Sequence, residues 1–280
     1  MINVMQGRLS PPIDGKLQSF PVKTWADEFR LAKKLGLGGI EWIYDDPPAE
    51  NTPGALNPLA TWAGIQNMLR LQQQWGVVVN SVCADYFVTY PLVRVSGRDL
   101  AERVSHLEWL ICQCYHAKIT KLILPFVDNS AINDNSELRQ VADIIRRADL
   151  FATNHNVRLY VETNLNPDMT CGLLYSLGWG LAIINYDSGN SAYLGYNCDE
   201  EWEAYGKRIG HIHLKDRQYG GLSVPPGEGD ADFMALKNNI AKYNYRGDYT
   251  LQVARGEVGD EEGWVGMITG QLAKLMGGVI

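Results

Sequence analysis

Cysteine is scarce and shows no pairing pattern. There are five (Cys83, Cys112, Cys114, Cys171 and Cys198) in 280 residues. An odd number without framework spacing excludes a disulfide scaffold and is expected of a reduced, cytoplasmic protein. Cys112 and Cys114 lie two apart in a helical stretch, where side chains diverge, which argues against a metal-ligating pair. Basic excess is lacking too. The net charge is −7, which opposes a surface built to hold nucleic acid. No apolar run reaches membrane-spanning length. The start, MINVMQGRL, has neither the basic residues nor the long apolar segment of a signal peptide. A glycine-rich phosphate fingerprint is missing after the first apolar run, where MQGRLS holds one glycine. No charge block or low-complexity linker divides the chain.

What is present is a composition 46% hydrophobic and a steady alternation of short apolar runs with helical stretches. The runs Ile2–Met5, Gly39–Ile43, Val77–Cys83, Lys121–Pro125, Val157–Glu162, Leu181–Asp187, Ile209–Lys215 and Tyr249–Val253 read as strands. Helical spacing covers Trp25–Leu35, Leu59–Trp75, Leu100–His116, Ser136–His155, Met169–Leu177, Glu200–Lys207, Asp232–Tyr243 and Glu261–Met276. A Pro-rich loop, DDPPAENTPG, follows the second strand, and Ser136 is a candidate helix cap. Several strands are apolar on both faces, as parallel strands covered by helices should be. Eight such units at this length predict a single-domain (β/α)8 barrel over residues 1–280, with a doubly wound open sheet as the rival.

In a barrel the C-terminal strand ends form the active-site rim. Four polar residues fall there in the second half: Glu162 in VRLYVETN, Asp187 in LAIINYDSGN, His213 in IGHIHLKD and Gln252 in DYTLQVARG. Two carboxylates, an imidazole and a carboxamide oxygen are an oxygen-rich donor set with one nitrogen. Such a set suits Mn²⁺ first, and Mg²⁺, Co²⁺ or Zn²⁺ after it. Each residue has a plainer role open to it: a salt bridge for Glu162, a helix cap for Asp187, a satisfied core histidine for His213 or His211. Alternation puts His211 and His213 on one face, and Lys215 on that face as well. The aromatics Trp42, Tyr86, Phe87, Tyr186 and Tyr193 near strand ends could pack against the apolar face of a sugar.

MQGRLS, GIEWI, VET, the D-x-G-N of Asp187–Asn190, HIHLKDR and the PPGEG loop of Pro225–Gly229 together resemble the xylose isomerase-like barrel superfamily. Within it the chain looks close to the sugar-phosphate isomerases/epimerases and the L-ribulose/L-xylulose-5-phosphate 3-epimerases. HIHLKDR followed by PPGEG is the most specific piece. The resemblance implies one divalent metal held by Glu162, Asp187, His213 and the strand-eight residue, here Gln252. It further implies that Lys215 and Arg217 line the substrate pocket; His211, Asn190, Glu41, Arg8 and Arg255 are further candidate substrate-binding residues, with Lys215, Arg217 and Arg8 as candidate phosphate or polyol contacts. The family usually carries glutamate where Gln252 stands. There it faces the strand-five glutamate across the substrate, so that one removes a proton and the other delivers one. A carboxamide cannot serve as a base. Glu162 is then the obvious base for a one-base isomerisation, with Glu41 or Glu228 as sources of a second acid.

The expected activity is therefore a metal-dependent isomerase or epimerase of a sugar or sugar phosphate, acting through an enediolate. A sugar dehydratase of the inosose type and a non-catalytic sugar-binding protein with a decayed site are the alternatives. An endonuclease IV-type nuclease would need three metals and more histidines than the five present. The expected partner is a small molecule, with no nucleic acid and no membrane, and with homodimerisation open.

Overall fold

The computed structural model describes residues 1–45, 57–178 and 183–278. Eight parallel strands close into a barrel: β1 Ile2–Met5, β2 Gly39–Ile43, β3 Val78–Cys83, β4 Lys121–Phe126, β5 Arg158–Thr163, β6 Ile183–Asp187, β7 Ile209–Leu214 and β8 Asp248–Leu251. Their order around the barrel follows the chain, and β8 closes on β1 through the register Ile2 with Tyr249 and Val4 with Leu251. Eight longer helices cover the outside: α1 Asp27–Lys34, α2 Trp62–Trp75, α3 Gly97–His116, α4 Asn135–Asn154, α5 Pro167–Leu177, α6 Cys198–Tyr205, α7 Phe233–Lys242 and α8 Glu261–Leu275. This is the expected (β/α)8 barrel, and the open sheet is excluded by the closure. All five cysteines are free. Among the described residues no helix is long and apolar enough to cross a membrane. The Pro-rich loop from residue 46 onward and residues 181–182 of the expected sixth strand lie outside the described residues.

Helix ends follow local chemistry. Thr61 caps α2 by accepting from Gly64 N at 3.0 Å, and Gly76 ends it at φ +64°, a conformation glycine adopts without strain. Asp134, and not Ser136, caps α4: its carboxylate accepts from Ser136 N and Glu137 N at 2.7 and 2.8 Å. Asp134 stands just before the first helical residue, where its carboxylate reaches the first orphan amides, whereas Ser136 lies inside the helix. Outside the barrel wall, Trp42 of β2 packs edge-on against Trp25 and tilted against Phe20 and Phe29 of α1. Such aromatic pairs add ~0.5–1.5 kcal/mol each beyond burial. Trp42 is fully buried here, so it belongs to the packing and not to a substrate face.

The inside of the barrel is unusual. Barrel interiors are normally layers of branched apolar side chains. Here alternate positions of β8 (Asp248, Thr250), β7 (His211, His213), β6 (Asn185, Asp187), β5 (Glu162), β3 (Ser81) and β2 (Glu41) put polar groups on the axis. All but Asp248 are buried. At the bottom Asp248 takes Lys121, Asn80 and the N-terminal ammonium. Burying such groups is tolerable only when each is paired, and the pairing forms a column that rises to the rim.

Candidate active site

The column's middle rung is Glu41. Its carboxylate accepts from His213 Nε2 at 2.6 Å, Ser81 Oγ at 2.7 Å, His211 Nε2 at 2.9 Å and Thr250 Oγ1 at 3.2 Å. Burial by itself would raise this carboxyl. The two imidazoles outweigh it and hold Glu41 well below the usual carboxylate range. Burial lowers His211. Burial also opposes charge on His213, but Glu41 and Glu162 on its two sides raise it well above the ordinary imidazole value.

Above Glu41 stands the cluster that the strand ends were expected to form. His213 turns Nδ1 to Glu162 Oε2 at 3.2 Å and to Asp187 Oδ2 at 3.9 Å. Glu162 is oriented by two amides: Asn190 Nδ2 donates to Oε1 and Asn185 Nδ2 to Oε2, both at 2.8 Å. The oxygens of Asp187 divide two tasks. Oδ1 caps the short helix Ser188–Leu194 by accepting from Gly189 N and Asn190 N at 2.8 Å each, while Oδ2 is buried without a hydrogen bond. Lys215 Nζ lies 3.6 Å from that oxygen and 3.4 Å from Gln252 Oε1. Gly189 of the D-x-G-N motif is needed for this approach, since a Cβ there would stand 2.5 Å from Lys215 Cγ.

This cluster fits a divalent cation. Glu162, Asp187 and His213 each offer a ligand atom, the three atoms lie within 4.8 Å of one another, and Asp187 Oδ2 is a buried acceptor with no hydrogen bond, faced by Lys215 Nζ at 3.6 Å. Gln252 Oε1 faces the same Lys215 ammonium as Asp187 does. Glu41, His211 and His213 also lie within 4.8 Å of one another, but there the carboxylate already accepts from four donors. With a cation on Nδ1, His213 would keep its Nε2 proton on Glu41. A carboxylate behind a ligating imidazole fixes both its tautomer and its orientation.

A cavity of about 570 Å³ opens over the cluster, a size that suits a small ligand. Glu162, Asn190, Lys215, Arg217, Arg8 and Gln252 line it. Three expectations need correction. Glu41 and His211 are fully buried beneath the cavity and do not line it. Arg255 turns away: its guanidinium donates to Leu17 O and Ser10 O and lines a separate small pocket. Glu228 is exposed and lies off the cavity. The conspicuous PPGEG loop is instead pinned by Asp216, which accepts from Gly227 N, Gly229 N and Ala231 N at 2.7–3.0 Å. The five rim aromatics do not line the cavity either. Phe87 and Tyr186 are core, Tyr86 stacks on His106, and Tyr193 lies under Arg217, whose Cζ is 3.9 Å from the ring centroid.

Sequence reasoning missed Asn185, Gln18, Cys83 and Asp85. Asn185 was within reach, because strand alternation puts it on Asp187's face. Gln18 and Asp85 come from loops, and nothing in their local sequence marks them.

A closed (β/α)8 barrel with two carboxylates and an imidazole converging at its C-terminal rim defines a class of barrel proteins with a candidate metal site. The chain belongs to the xylose isomerase-like TIM barrel family, whose model matches residues 29–266. The curated relative "Rhizopine catabolism protein MocC" of Rhizobium meliloti is 28% identical over 131 residues, 39% of this chain, and the match spans 39% of that protein's length. Among solved structures, an IOLI protein with a bound zinc atom superposes with a TM-score of 0.77 at 14% identity, covering 100% of this chain and 99% of its own. D-psicose 3-epimerase, solved in the presence of D-fructose, gives 0.74 at 13% identity and covers 99% of both chains. At these identities the superpositions speak for the fold.

Proposed function

We propose that the protein is a divalent-metal-dependent isomerase or epimerase of a sugar or a sugar-like ketone, with Glu162 as the base. The observation that carries this reading is the placement of Glu162. One carboxylate is both oriented by two amides and set beside Asp187 and His213 on the floor of a polar cavity. Mn²⁺ is our first choice for an oxygen-rich set with one imidazole. Glu162, Asp187, His213 and Gln252 are the residues that would hold such a cation, which would supply Lewis acidity to the substrate carbonyl. Glu162 takes the proton from the carbon next to that carbonyl. Asn185 and Asn190 hold its oxygens so that the lone pair is presented in one direction.

The cavity's cations favour an uncharged substrate over a phosphorylated one. Arg8 donates to Val253 O, Leu17 O and Gln18 Oε1, and Arg217 to Asn190 Oδ1 and Gly221 O. Lys215 is taken by Asp187, Gln252 and Asn190. Four acids (Asp45, Asp85, Asp128, Glu162) line the cavity beside four cations (Arg8, Lys16, Lys215, Arg217). A phosphate wants an uncommitted fork of donors; the Arg8 fork is fully committed, and Arg217 keeps only Nε without a partner.

The test is solvent exchange in deuterium oxide with manganese-loaded protein on D-fructose, L-ribulose, their phosphates and an inosose. Deuterium should enter next to the carbonyl of an unphosphorylated ketone, and Glu162→Gln should slow that entry ~10²–10⁴-fold, the usual weight of a positioned base. Absence of exchange with every compound would contradict the reading.

A further inference from the structure

Inverting a carbon by proton transfer takes one group to remove the proton and another to return it to the opposite face. Gln252 cannot be the second group, Glu41 is buried under the histidines, and Glu228 lies off the cavity. We propose that Asp85, just beyond β3, is the second acid–base residue of the active site, and that Gln252 helps to hold it in place through Gln18. This rests on the function proposed above and adds a residue to it.

Asp85 lines the same cavity as Glu162, with Pro125 of the intervening β4 also in the wall. Among the described residues it makes no ion pair. Its partners are Gln18 Nε2, donating to Oδ2 at 2.7 Å, and the Cys83 thiol, donating to Oδ1 at 3.2 Å. Burial raises its carboxyl to about 6, against the two hydrogen bonds and with help from Asp45 and Glu162 nearby. A carboxyl raised to about 6 in this cavity exchanges its proton close to neutrality, although the Arg8 guanidinium behind Gln18 favours its ionised form.

The glutamine at position 252 becomes intelligible through this chain of bonds. Gln252 Nε2 donates to Gln18 Oε1 at 3.1 Å, and Arg8 Nη2 donates to the same oxygen at 3.2 Å. Two donors fix the carbonyl end of Gln18, so its NH₂ end must point the other way, to Asp85. A glutamate at 252 would set an acceptor against an acceptor and turn Gln18 over, taking the donor from Asp85. The carboxamide at strand eight and the carboxyl beyond strand three thus form one arrangement.

In the step itself, the Glu162 carboxylate takes the proton from the carbon beside the carbonyl. The C–H pair becomes the C=C bond of the enediolate and the carbonyl pair moves to oxygen. The protonated Asp85 then gives its proton to that carbon from the other face. The C=C pair forms the new C–H bond and the oxygen pair restores the carbonyl. Glu162 ends protonated and Asp85 ionised, and exchange with water resets both. No oxidant or reductant is needed.

The experiment follows D-fructose and L-ribulose by NMR in deuterium oxide with manganese-loaded protein. It reads deuterium entry and inversion at the carbon beside the carbonyl separately. Wild type should do both, and Glu162→Gln should lose both. Asp85→Asn should lose inversion by ~10²-fold or more while deuterium entry falls far less, so the ratio of entry to inversion rises at least about tenfold. Asp85→Glu, which keeps a carboxyl, should recover inversion over Asp85→Asn. Loss of packing alone would not produce that split or that recovery. Inversion at the wild-type rate in Asp85→Asn, or equal loss of entry and inversion in a variant with an unchanged melting temperature, would overturn the proposal and leave the assignment of Glu162 standing. Wild type that neither exchanges nor inverts either ketose would overturn both.

Discussion

At the scale of single residues, the site works by giving each atom one task. Asp187 caps a helix with one oxygen and leaves the other without a hydrogen bond. A helix cap and a metal ligand were alternative roles for this residue in the sequence, yet the geometry has room for both, because a carboxylate has two oxygens. His213 is divided in the same way, with Nε2 on Glu41 and Nδ1 on the carboxylate pair above. On the proposed function Glu41, buried behind His213, orients that imidazole. We expect Glu41→Gln to weaken Mn²⁺ binding ~10–100-fold, the usual effect of losing a carboxylate behind a ligating imidazole, measured by calorimetric titration. Unchanged affinity would mean that Glu41 only fills the barrel.

At the scale of elements, the alternation of strands and helices was legible almost throughout, because the period of apolar residues differs between the two. All eight strands appear within a few residues of expectation. The helix Ser188–Leu194 was missed because its sequence, SGNSAYL, has no apolar period, and its start is set by the Asp187 side chain. The polar axis of the barrel was also hidden. His211 and His213 stood out, but Glu41 in GIEWI and Asn185 in IINYD sit between apolar neighbours, and only closure of the barrel gives them partners. The loop after β1 depends on α1. Glu28, buried, accepts Gly7 N at 2.9 and 3.2 Å and so fixes the entry to the segment that carries Arg8 and Gln18. Burial raises Glu28 from 4.5 to about 7 despite those bonds. The unfolded chain gives up this proton at lower pH than the folded one. The stabilisation is therefore complete below pH 4.5 and is lost as pH rises to about 7, by on the order of 3 kcal/mol at ~1.4 kcal/mol per unit. Urea midpoints of wild type should fall between pH 5 and 7.5 relative to those of Glu28→Gln. Parallel pH profiles for the two proteins would refute this.

At the scale of the whole molecule, closure brings together residues from segments far apart in the chain. Glu162, Asp187 and His213 were readable as a set because each ends its strand on the inward face. Gln18 and Asp85 were not, since loop residues obey no period and their positions follow from the rim that the barrel builds. On the proposed function, this rim gathers a cation site. Asp187→Asn isolates it, because the amide oxygen can still cap Ser188–Leu194 while the second carboxylate oxygen is gone. The deciding measurement is a Mn²⁺ titration of metal-free wild type and Asp187→Asn, with the melting temperature of each metal-free protein alongside. One Mn²⁺ per wild-type chain is expected, with at least about tenfold weaker binding in the variant and little change in metal-free melting. Equal Mn²⁺ affinity in the two proteins, or no specific binding to wild type, would contradict the proposal.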